Sequence, residues 1–151
     1  MSADTAGVYH IAGAAFGEHR RLLADLQEFL RHPEGRGLVA EVRSRRGRGL
    51  VGYALFRACP HRRCVQLDEV GVLPGWQRGR VGKGLVGYVG KLAEAYRLAC
   101  FARVDERDLP AQLLLRCCGW RCTRILPSDL DPDAGSYFFE YPPRAREDEK
   151  A

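Results

Sequence analysis

A glycine- and arginine-rich turn between an apolar segment and a helical pattern carries the clearest chemical signal in this sequence. The apolar segment ends at Pro74, the turn spans 75–84, and the helical pattern follows at once. A strand, a turn and a helix in this order form an anion site, because the first amides of a helix lack acceptors within it and the helix dipole adds positive potential there. Arg78, Arg80 and Lys83 surround that site with positive charge. We therefore expect a ligand with phosphate, and two linked phosphates fit best.

This turn contains neither Gly-x-x-x-x-Gly-Lys-Ser/Thr nor Gly-x-Gly-x-x-Gly, the two common nucleotide-binding loops. It resembles motif A of the GNAT N-acetyltransferase superfamily, in which Val-x-Pro, an aromatic residue and Gln/Arg-x-x-Gly-x-Gly/Ala open a helix. The residues in register are Val72, Pro74, Trp76, Gln77 and Gly82. Arg80 stands where the family usually has its first glycine, so it either alters the approach of the loop to the phosphates or contacts them itself. An ordinary basic turn is the alternative interpretation.

The resemblance implies that the loop binds the pyrophosphate of acetyl-CoA, which would be the co-substrate. It also implies that main-chain N–H groups of the preceding strand polarise the thioester carbonyl. The implied cofactor-binding residues are Val70, Gly71, Val72, Gln77, Arg78, Gly79, Arg80, Val81, Gly82, Lys83 and Asp108. Asp108 replaces a frequent asparagine of the family, which puts one hydrogen bond on the pantetheine side in question.

Two further segments resemble the same family. Segment 108–120 is similar to Asn-x-x-Ala-x-x-Leu-Tyr-x-x-x-Gly-Phe, with Ala111, Leu114, Gly119 and Trp120 in register. Residues 51–53, Val-Gly-Tyr, resemble the opening of the strand two before motif A. The resemblance covers nearly the whole chain and implies the GNAT fold, an α/β (α+β) fold with a mixed, mostly antiparallel central sheet flanked by helices.

The elements predicted from hydrophobic periodicity and turn residues follow the order of that fold. They are a first strand or irregular lead-in at 8–16, a helix at 18–32, strands at 37–43, 50–59 and 64–73, the motif helix to about Arg97, a strand at 98–104, a short helix that begins at the capping residue Asp108 and ends near Gly119, and a strand pair at 120–126 and 136–141. The length of 151 residues suits a single domain over 1–151, in which we expect 1–8 and 142–151 to be mobile.

Two adjacent carboxylates on the strand before the motif are the catalytic candidates. Strand alternation places Asp68 on the face of Val70 and Val72, and Glu69 on the opposite face with Leu67. Asp68 aligns with an acidic position of the spermidine acetyltransferase branch, so we expect it to attract a cationic amine or to relay its proton through water. Glu69 takes that role if a bulge reverses the facing. Surface ion pairs with nearby arginines are the structural alternative.

The group that protonates the leaving thiolate is less well defined. Many family members have a tyrosine four residues before the Gly-Phe pair, where this sequence has Leu115. Leucine cannot donate a proton, which leaves Cys117, Cys118, Tyr137 or water as candidates. An inactive, CoA-binding relative would show the same replacement.

The formal net charge is +5 at pH 7, and arginines cluster at 43–48 and 62–63. Such charge favours anionic ligands, and we interpret the clusters as solvated hairpin tips in preference to an RNA surface. The sequence lacks an apolar run long enough to span a bilayer and an N-terminal basic region followed by an apolar stretch. We therefore expect a cytoplasmic protein without membrane contacts.

The six cysteines are expected to be reduced thiols in that compartment. Cys59 and Cys64 flank His61, and Cys118 and Cys122 lie close together. The usual zinc spacing of two residues between ligands is missing. We therefore expect no metal site and no obligatory disulfide.

The leading hypothesis is an acetyl-CoA-dependent N-acetyltransferase that acts on a primary amine of a small molecule or a protein, with a homodimer as one possible assembly. The acidic pair on the strand slightly favours a cationic acceptor. A non-catalytic acyl-CoA-binding or regulatory module is the first alternative, favoured by Leu115 and Arg80. A basic RNA- or ribosome-associated protein is the second, although the sequence lacks a recognised motif and interleaved aromatics for it.

Overall fold

The structure, a computed structural model, describes residues 3–17, 23–127 and 133–142. Its helices are α1 (Ala3–Phe16), α2 (Leu23–Arg31), α3 (Val81–Ala95) and α4 (Leu109–Cys117). Its strands are β1 (Gly35–Ser44), β2 (Gly47–Cys59), β3 (Cys64–Val72), β4 (Ala99–Asp105), β5 (Arg121–Pro127) and β6 (Gly135–Tyr141). Short 3-10 turns follow β2 and β3, at Pro60–Arg62 and Pro74–Trp76.

The strands form one six-stranded sheet in the order β1-β2-β3-β4-β6-β5. β3 and β4 are parallel, and the other neighbours are antiparallel. A parallel pair needs a long crossover connection, which α3 provides. The predicted mixed, mostly antiparallel sheet with flanking helices is confirmed.

Each side of the sheet has its own apolar core, because side chains of a strand alternate between the two faces. Along β2, Ala54 and Phe56 pack in a cluster with α3. Tyr53 and Leu55 pack in a second cluster with α1 and α2. We refer to these two sides as the α3 face and the α1–α2 face.

The N-terminal segment is a helix, so the strand predicted at 8–16 is wrong. Its buried residues Val8, Ile11 and Ala12 are spaced by three and four, which is the period of a helix and not of a strand. α1 packs on β2 and β3. Residues 3–8, expected to be mobile, form the first turns of α1. The rest of the expected mobile ends, residues 1–2 and 143–151, lies outside the described residues.

The other elements lie close to their predicted bounds. α2 begins at Leu23, and residues 18–22 of the predicted helix lie outside the described residues. β1 and β2 are longer than predicted because their pairing runs from Gly35 opposite Arg57 to the tight turn after Ser44. Tyr96, counted in the apolar stripe of the motif helix, follows the last helical residue of α3 and is 70% exposed.

Two side chains organise the turn from β4 to α4. Asp108 caps α4 as predicted, because its carboxylate accepts a hydrogen bond from the Ala111 amide at 3.2 Å. The buried Gln112 donates its Nε2 group to the carbonyl oxygens of Asp105, at 3.3 Å, and Glu106, at 2.9 Å. The end of β4 and the start of α4 therefore form one hydrogen-bonded unit.

We predict that Gln112→Ala lowers the free energy of unfolding by about 1–3 kcal/mol, because it removes the side-chain donor from the Glu106 carbonyl and leaves the Asp105 carbonyl with the Asp108 amide alone. Urea unfolding followed by circular dichroism measures this loss. Leu113→Ala, at the neighbouring exposed position of the same helix, is the matched control and should change stability by less than about 0.5 kcal/mol. Equal losses for the two variants would contradict a role for the Gln112 amide.

Candidate active site

The parallel strands β3 and β4 separate towards their C-terminal ends. Their ladder covers residues 64–67 of β3 and 99–102 of β4, whereas β3 continues to Val72 and β4 to Asp105. Beyond this ladder, β3 stays paired with β2 on its outer side, and β4 with β6. The result is an opening in the middle of the sheet between residues 68–72 and 103–105, which we call the gap.

The direction of the ladder hydrogen bonds shows which amides point into the gap. Leu73 donates its N–H group to the carbonyl oxygen of Val51 at 2.9 Å, so this amide faces β2. Amides of a strand point alternately to its two sides. Gly71 therefore also directs its N–H group to β2, and Val70 and Val72 direct theirs into the gap. Of the three residues predicted to polarise a carbonyl, two have the required direction.

The glycine- and arginine-rich turn continues directly from the end of β3 beside the gap. It is tightly coiled, because Trp76 donates its amide to the Leu73 carbonyl at 2.8 Å and Gly79 donates to the Trp76 carbonyl at 3.2 Å. Gln77 ties the turn to the strand by a hydrogen bond from its Nε2 group to the Val72 carbonyl at 3.1 Å. The side chain of Gln77, expected to bind the cofactor, thus positions the turn.

The turn ends at the N-terminus of α3, where unpaired helical amides and positive side chains meet. Arg80 is the N-cap, and its carbonyl accepts the first helical hydrogen bond, from Gly84 at 2.9 Å. The amides of residues 81–83 therefore have no acceptor within the helix. Arg78, Arg80 and Lys83 are exposed. This set of donors fits the oxygens of a diphosphate.

Gly82 faces another helix of the protein. A Cβ atom at this position would lie 3.4 Å from both Cδ atoms of Leu114 on α4. Gly82 thus contributes to the packing of α3 against α4, and its part in binding the cofactor stays a prediction. Its amide still belongs to the first turn of α3.

A β-bulge at Asp68 sets the facing of β3. Leu67 and Glu69 pair with the consecutive residues 56 and 55 of β2, so Asp68 is the extra residue. Leu67 is part of the α3-face core, and Val70 packs against the same core. The predicted simple alternation, which puts these two residues on opposite faces, is wrong.

Both carboxylates of the bulge lie on the α1–α2 face, in different surroundings. Asp68 forms an ion pair with Arg57 at 3.0 Å to Nε and accepts a hydrogen bond from Gln66 Nε2 at 3.0 Å, and its side chain is 14% exposed. Glu69 accepts a hydrogen bond from the Tyr53 hydroxyl group. The ion-pair alternative therefore describes Asp68, and the partners of Glu69 include the Tyr53 hydroxyl group.

Sequence reasoning misses Tyr53 as a residue of the site. Its ring is fully buried in the α1–α2 core, and only its hydroxyl group meets a carboxylate. Gly71 lies opposite Tyr53, and a Cβ atom at Gly71 would lie 2.3 Å from the Tyr53 ring. The signal in the sequence is a glycine inside a strand, which often marks a close approach, but its partner is known only once the register is known.

Two residues near α4 have structural roles, and a third stays a candidate proton donor. The Asp108 carboxylate, expected on the cofactor side, is engaged as the cap of α4. Leu115 is buried in the α3-face core, so packing fills the position of the family tyrosine. Burial raises the pKa of the Cys118 thiol, which keeps this candidate donor protonated at neutral pH.

The cysteines are all free thiols in the structure. Cys59 and Cys64 are opposite one another in β2 and β3, and a hydrogen bond from the Cys59 thiol to Glu34 raises its pKa to about 11. In the described part of the chain, no three His, Cys, Asp or Glu side chains form a metal-binding group. The absence of zinc stays a prediction, which elemental analysis tests. None of the described helices is long and apolar enough to cross a membrane.

The chain belongs to the acetyltransferase (GNAT) family, whose sequence model matches residues 6–120. The match runs from α1 to the residue before β5 and includes the gap, the motif turn and the segment capped by Asp108. The resemblance seen in the sequence is thereby confirmed. No curated protein sequence matches the chain.

Solved structures with the same fold align over most of the chain. A putative GNAT-family acetyltransferase from Desulfovibrio desulfuricans has a TM-score of 0.78 at 15% identity, over 93% of this chain and 92% of that chain. An aminoglycoside 6'-N-acetyltransferase complexed with coenzyme A has a TM-score of 0.76 at 14% identity, over 94% and 93%. The ribosomal-protein-S18-alanine N-acetyltransferase from Escherichia coli has 0.72 at 16%, over 97% and 93%. The chain spans 65% of the length of nourseothricin acetyltransferase.

We predict that Gly71→Ala lowers the free energy of unfolding by about 1–3 kcal/mol, because the added methyl group overlaps the buried Tyr53 ring and forces it to move. Thermal and urea unfolding measure the loss. Gly84→Ala is the matched control, since a Cβ atom there meets nothing within 4 Å and alanine suits a helix better than glycine. A Gly71→Ala protein as stable as the wild type would contradict the close approach.

Proposed function

We propose that this chain is an acetyl-CoA-dependent N-acetyltransferase that transfers the acetyl group to a primary amine of a small molecule or a protein. The observation that carries the proposal is the gap between β3 and β4. It opens beside the cationic N-terminus of α3 and reaches the carboxylate of Glu69 at the bulge. An anionic co-substrate and an amine can therefore meet in the plane of the sheet.

The donors beside the gap suit acetyl-CoA. The amides of residues 81–83 with Arg78, Arg80 and Lys83 would hold the pyrophosphate, because exposed helical amides and positive charge favour a dianionic ligand. Gln77 and Gly79 would act by keeping the turn coiled. When bound, acetyl-CoA supplies the activated acetyl thioester. The solved neighbour with coenzyme A shares the fold, which supports this assignment.

The inward amides of Val70 and Val72 would stabilise the negative charge that develops on the carbonyl oxygen during attack by the amine. Preorganised main-chain donors of this kind serve acyl transfer, because they need no reorganisation as charge develops. Main-chain groups do this with almost any side chain attached. The backbone geometry, and not the type of side chain, therefore determines which residues supply these donors.

Glu69 is the proton acceptor that the structure favours over Asp68. The attacking amine must lose a proton, and a carboxylate within hydrogen-bonding reach, directly or through one water, can take it. The Tyr53 hydroxyl group orients the Glu69 side chain on the α1–α2 face. Asp68 would have a positioning role, because its ion pair with Arg57 stabilises the bulge that presents Glu69.

A non-catalytic acyl-CoA-binding module is the second candidate, and one observation favours it. Leu115 is part of the core, so the described site has no tyrosine at the family position to protonate the thiolate. The two candidates share the binding of coenzyme A and differ in turnover. Thiol release from acetyl-CoA with a panel of amines separates them, since a binding module releases none above background.

We predict that acetyl-CoA raises the melting temperature, because a ligand that binds the folded state stabilises it by mass action. Arg78→Ala and Lys83→Ala should each weaken binding about tenfold, which is the value of one charge-assisted hydrogen bond at an exposed site. Titration calorimetry at several salt concentrations measures the effect. Arg62→Ala, which removes an equal charge at the far end of β3, is the matched control. Equal affinity for CoA and for pantetheine without phosphate would contradict a pyrophosphate site.

We predict that Glu69→Gln lowers kcat about a hundredfold to ten-thousandfold, the usual contribution of a positioned proton acceptor, and leaves the CoA-induced melting shift intact. Tyr53→Phe should lower kcat less, because it loosens Glu69 without removing it. Asp68→Asn is the matched control and should act mainly on stability. Full activity of Glu69→Gln together with inactivity of Asp68→Asn would reverse the assignment of the two carboxylates.

A further inference from the structure

The β4–β6–β5 half of the sheet exposes one face beside the carboxylates. Cys100, Ala102 and Phe139 belong to the α3-face core, so their neighbours Phe101 and Phe138 lie on the other face. α1 and α2 pack on β1, β2 and β3. In the described part of the chain, this half of the α1–α2 face is left without a helix.

A row of two arginines with a phenylalanine between them crosses this face. Arg103 of β4 and Arg124 of β5 are both directly opposite Phe138 of β6. The Arg124 guanidinium carbon lies 4.3 Å from the centre of the Phe138 ring, and Arg103 donates its Nη2 group to the Pro127 carbonyl at 2.6 Å. Both arginines are exposed. We call these three residues the arginine row.

The aromatic part of this surface is continuous. The rings of Phe101 and Phe138 lie 5.3 Å apart between centroids, and both are half-buried. Stacking on a ring restrains the Arg124 guanidinium group, so less side-chain entropy is lost when it binds an anion. The surface thus combines an apolar floor with oriented cations, and an anionic ligand with an apolar body complements it.

The arginine row lies on the same face as Glu69, across the gap. Paired neighbouring strands are about 5 Å apart. Because the gap lies between β3 and β4, Arg103 is at least one strand spacing from β3 and Arg124 on β5 is at least three. An amine at Glu69 would therefore have the first of these cations at least about 5 Å away from it. The negative charge of Asp68 does not oppose this arrangement, because Arg57 balances it.

We propose that the arginine row binds a carboxylate of the acceptor, so that the preferred acceptor is an amine that carries a carboxylate at least about 5 Å from its nitrogen. This inference rests on the proposed N-acetyltransferase function. The acceptor nitrogen lies at Glu69, its body packs on Phe101 and Phe138, and its carboxylate pairs with Arg124 or Arg103. Charge complementarity selects against the polycationic amines that the acidic pair alone would favour.

The carboxylate has two possible sources, an acidic side chain of a peptide or a small ω-amino acid. A peptide spans about 3.3 Å per residue, so glutamates at its second to fourth positions fall in the required range. The first arm of the experiment compares labelled peptides with a free N-terminus and either glutamates or glutamines at these positions. The second arm compares an ω-amino carboxylate with the matching alkylamine as competitors for the labelled peptide.

Fluorescence anisotropy in the presence of CoA is the readout, because it does not depend on turnover. We expect the glutamate peptide to bind about tenfold more tightly than the glutamine peptide, and Arg124→Gln to remove that difference. Arg103→Lys keeps the charge but loses the planar fork, and it should reduce the difference in part. Arg116→Gln on the exposed side of α4 is the matched control, and it should leave the difference unchanged.

The outcomes separate this inference from the proposed function. If no amine is acetylated, but the wild type still prefers the glutamate peptide and Arg124→Gln removes that preference, then the proposed enzyme function is contradicted and the carboxylate site is supported. If an amine is acetylated, but the two peptides bind equally and the ω-amino carboxylate competes no better than the alkylamine, then the carboxylate site is contradicted and the enzyme function is supported. A preference for the ω-amino carboxylate alone assigns the site to a small molecule. Sedimentation that shows a dimer broken by Arg124→Gln would assign the face to a second copy and overturn the proposal.

Discussion

The extra residue at Asp68 is the constraint on which the rest of the site depends. With regular alternation, Leu67 and Val70 could not both enter the α3-face core, and one large apolar side chain would be lost from it. The bulge lets both stay in the core and turns the two carboxylates to the α1–α2 face. It also lies where the ladder with β4 ends. A bulged strand bends and twists more strongly, so one irregularity accounts for both the facing and the gap.

The gap matters because the sheet otherwise separates two unlike surroundings. Free helical amides and three cations lie at the N-terminus of α3, whereas Glu69 and Tyr53 lie on the α1–α2 face. An intact parallel ladder would satisfy the inner amides of β3 with carbonyl groups of β4. Because the ladder stops at Leu67, the amides of Val70 and Val72 point into the gap, where the proposed reaction would develop its negative charge. Main-chain donors at this place would stabilise the charge strongly, since they are already oriented before the charge develops.

Much of this arrangement could be predicted from the sequence. The motif turn, the helix after it and the succession of elements along the chain from α2 onwards follow from residue spacing and from the family resemblance, and the structure and the family match confirm them. The bulge also left a trace, because the apolar residues change phase from the odd positions Val65 and Leu67 to the even positions Val70 and Val72. A prediction that treats β3 as one regular strand, counted back from Val72, does not take this change of phase into account.

Other features could not be predicted because they depend on contacts between distant residues. The pairing of Tyr53 with Glu69 requires the register of β2 and β3, and the role of Gly82 requires the distance between α3 and α4. The prediction for α1 failed for a different reason. Its alanine- and glycine-rich stretch has little polar contrast, so the burial of Val8 and Ile11 at helical spacing emerges only when the helix packs on the sheet.

The balance of charge around the bulge has a consequence for the acceptor. Two adjacent carboxylates suggest a cationic substrate as long as they are counted by sequence alone. In the folded protein, Arg57 lies over the Phe29 ring of α2, 5.4 Å from its centre, and pairs with Asp68. Its guanidinium group is thereby held between a helix and the strand, and one of the two negative charges is compensated. On the proposed function, an acceptor whose amine lies at Glu69 would have cations farther along the same face, so selectivity would depend on the part of the acceptor beyond its nitrogen.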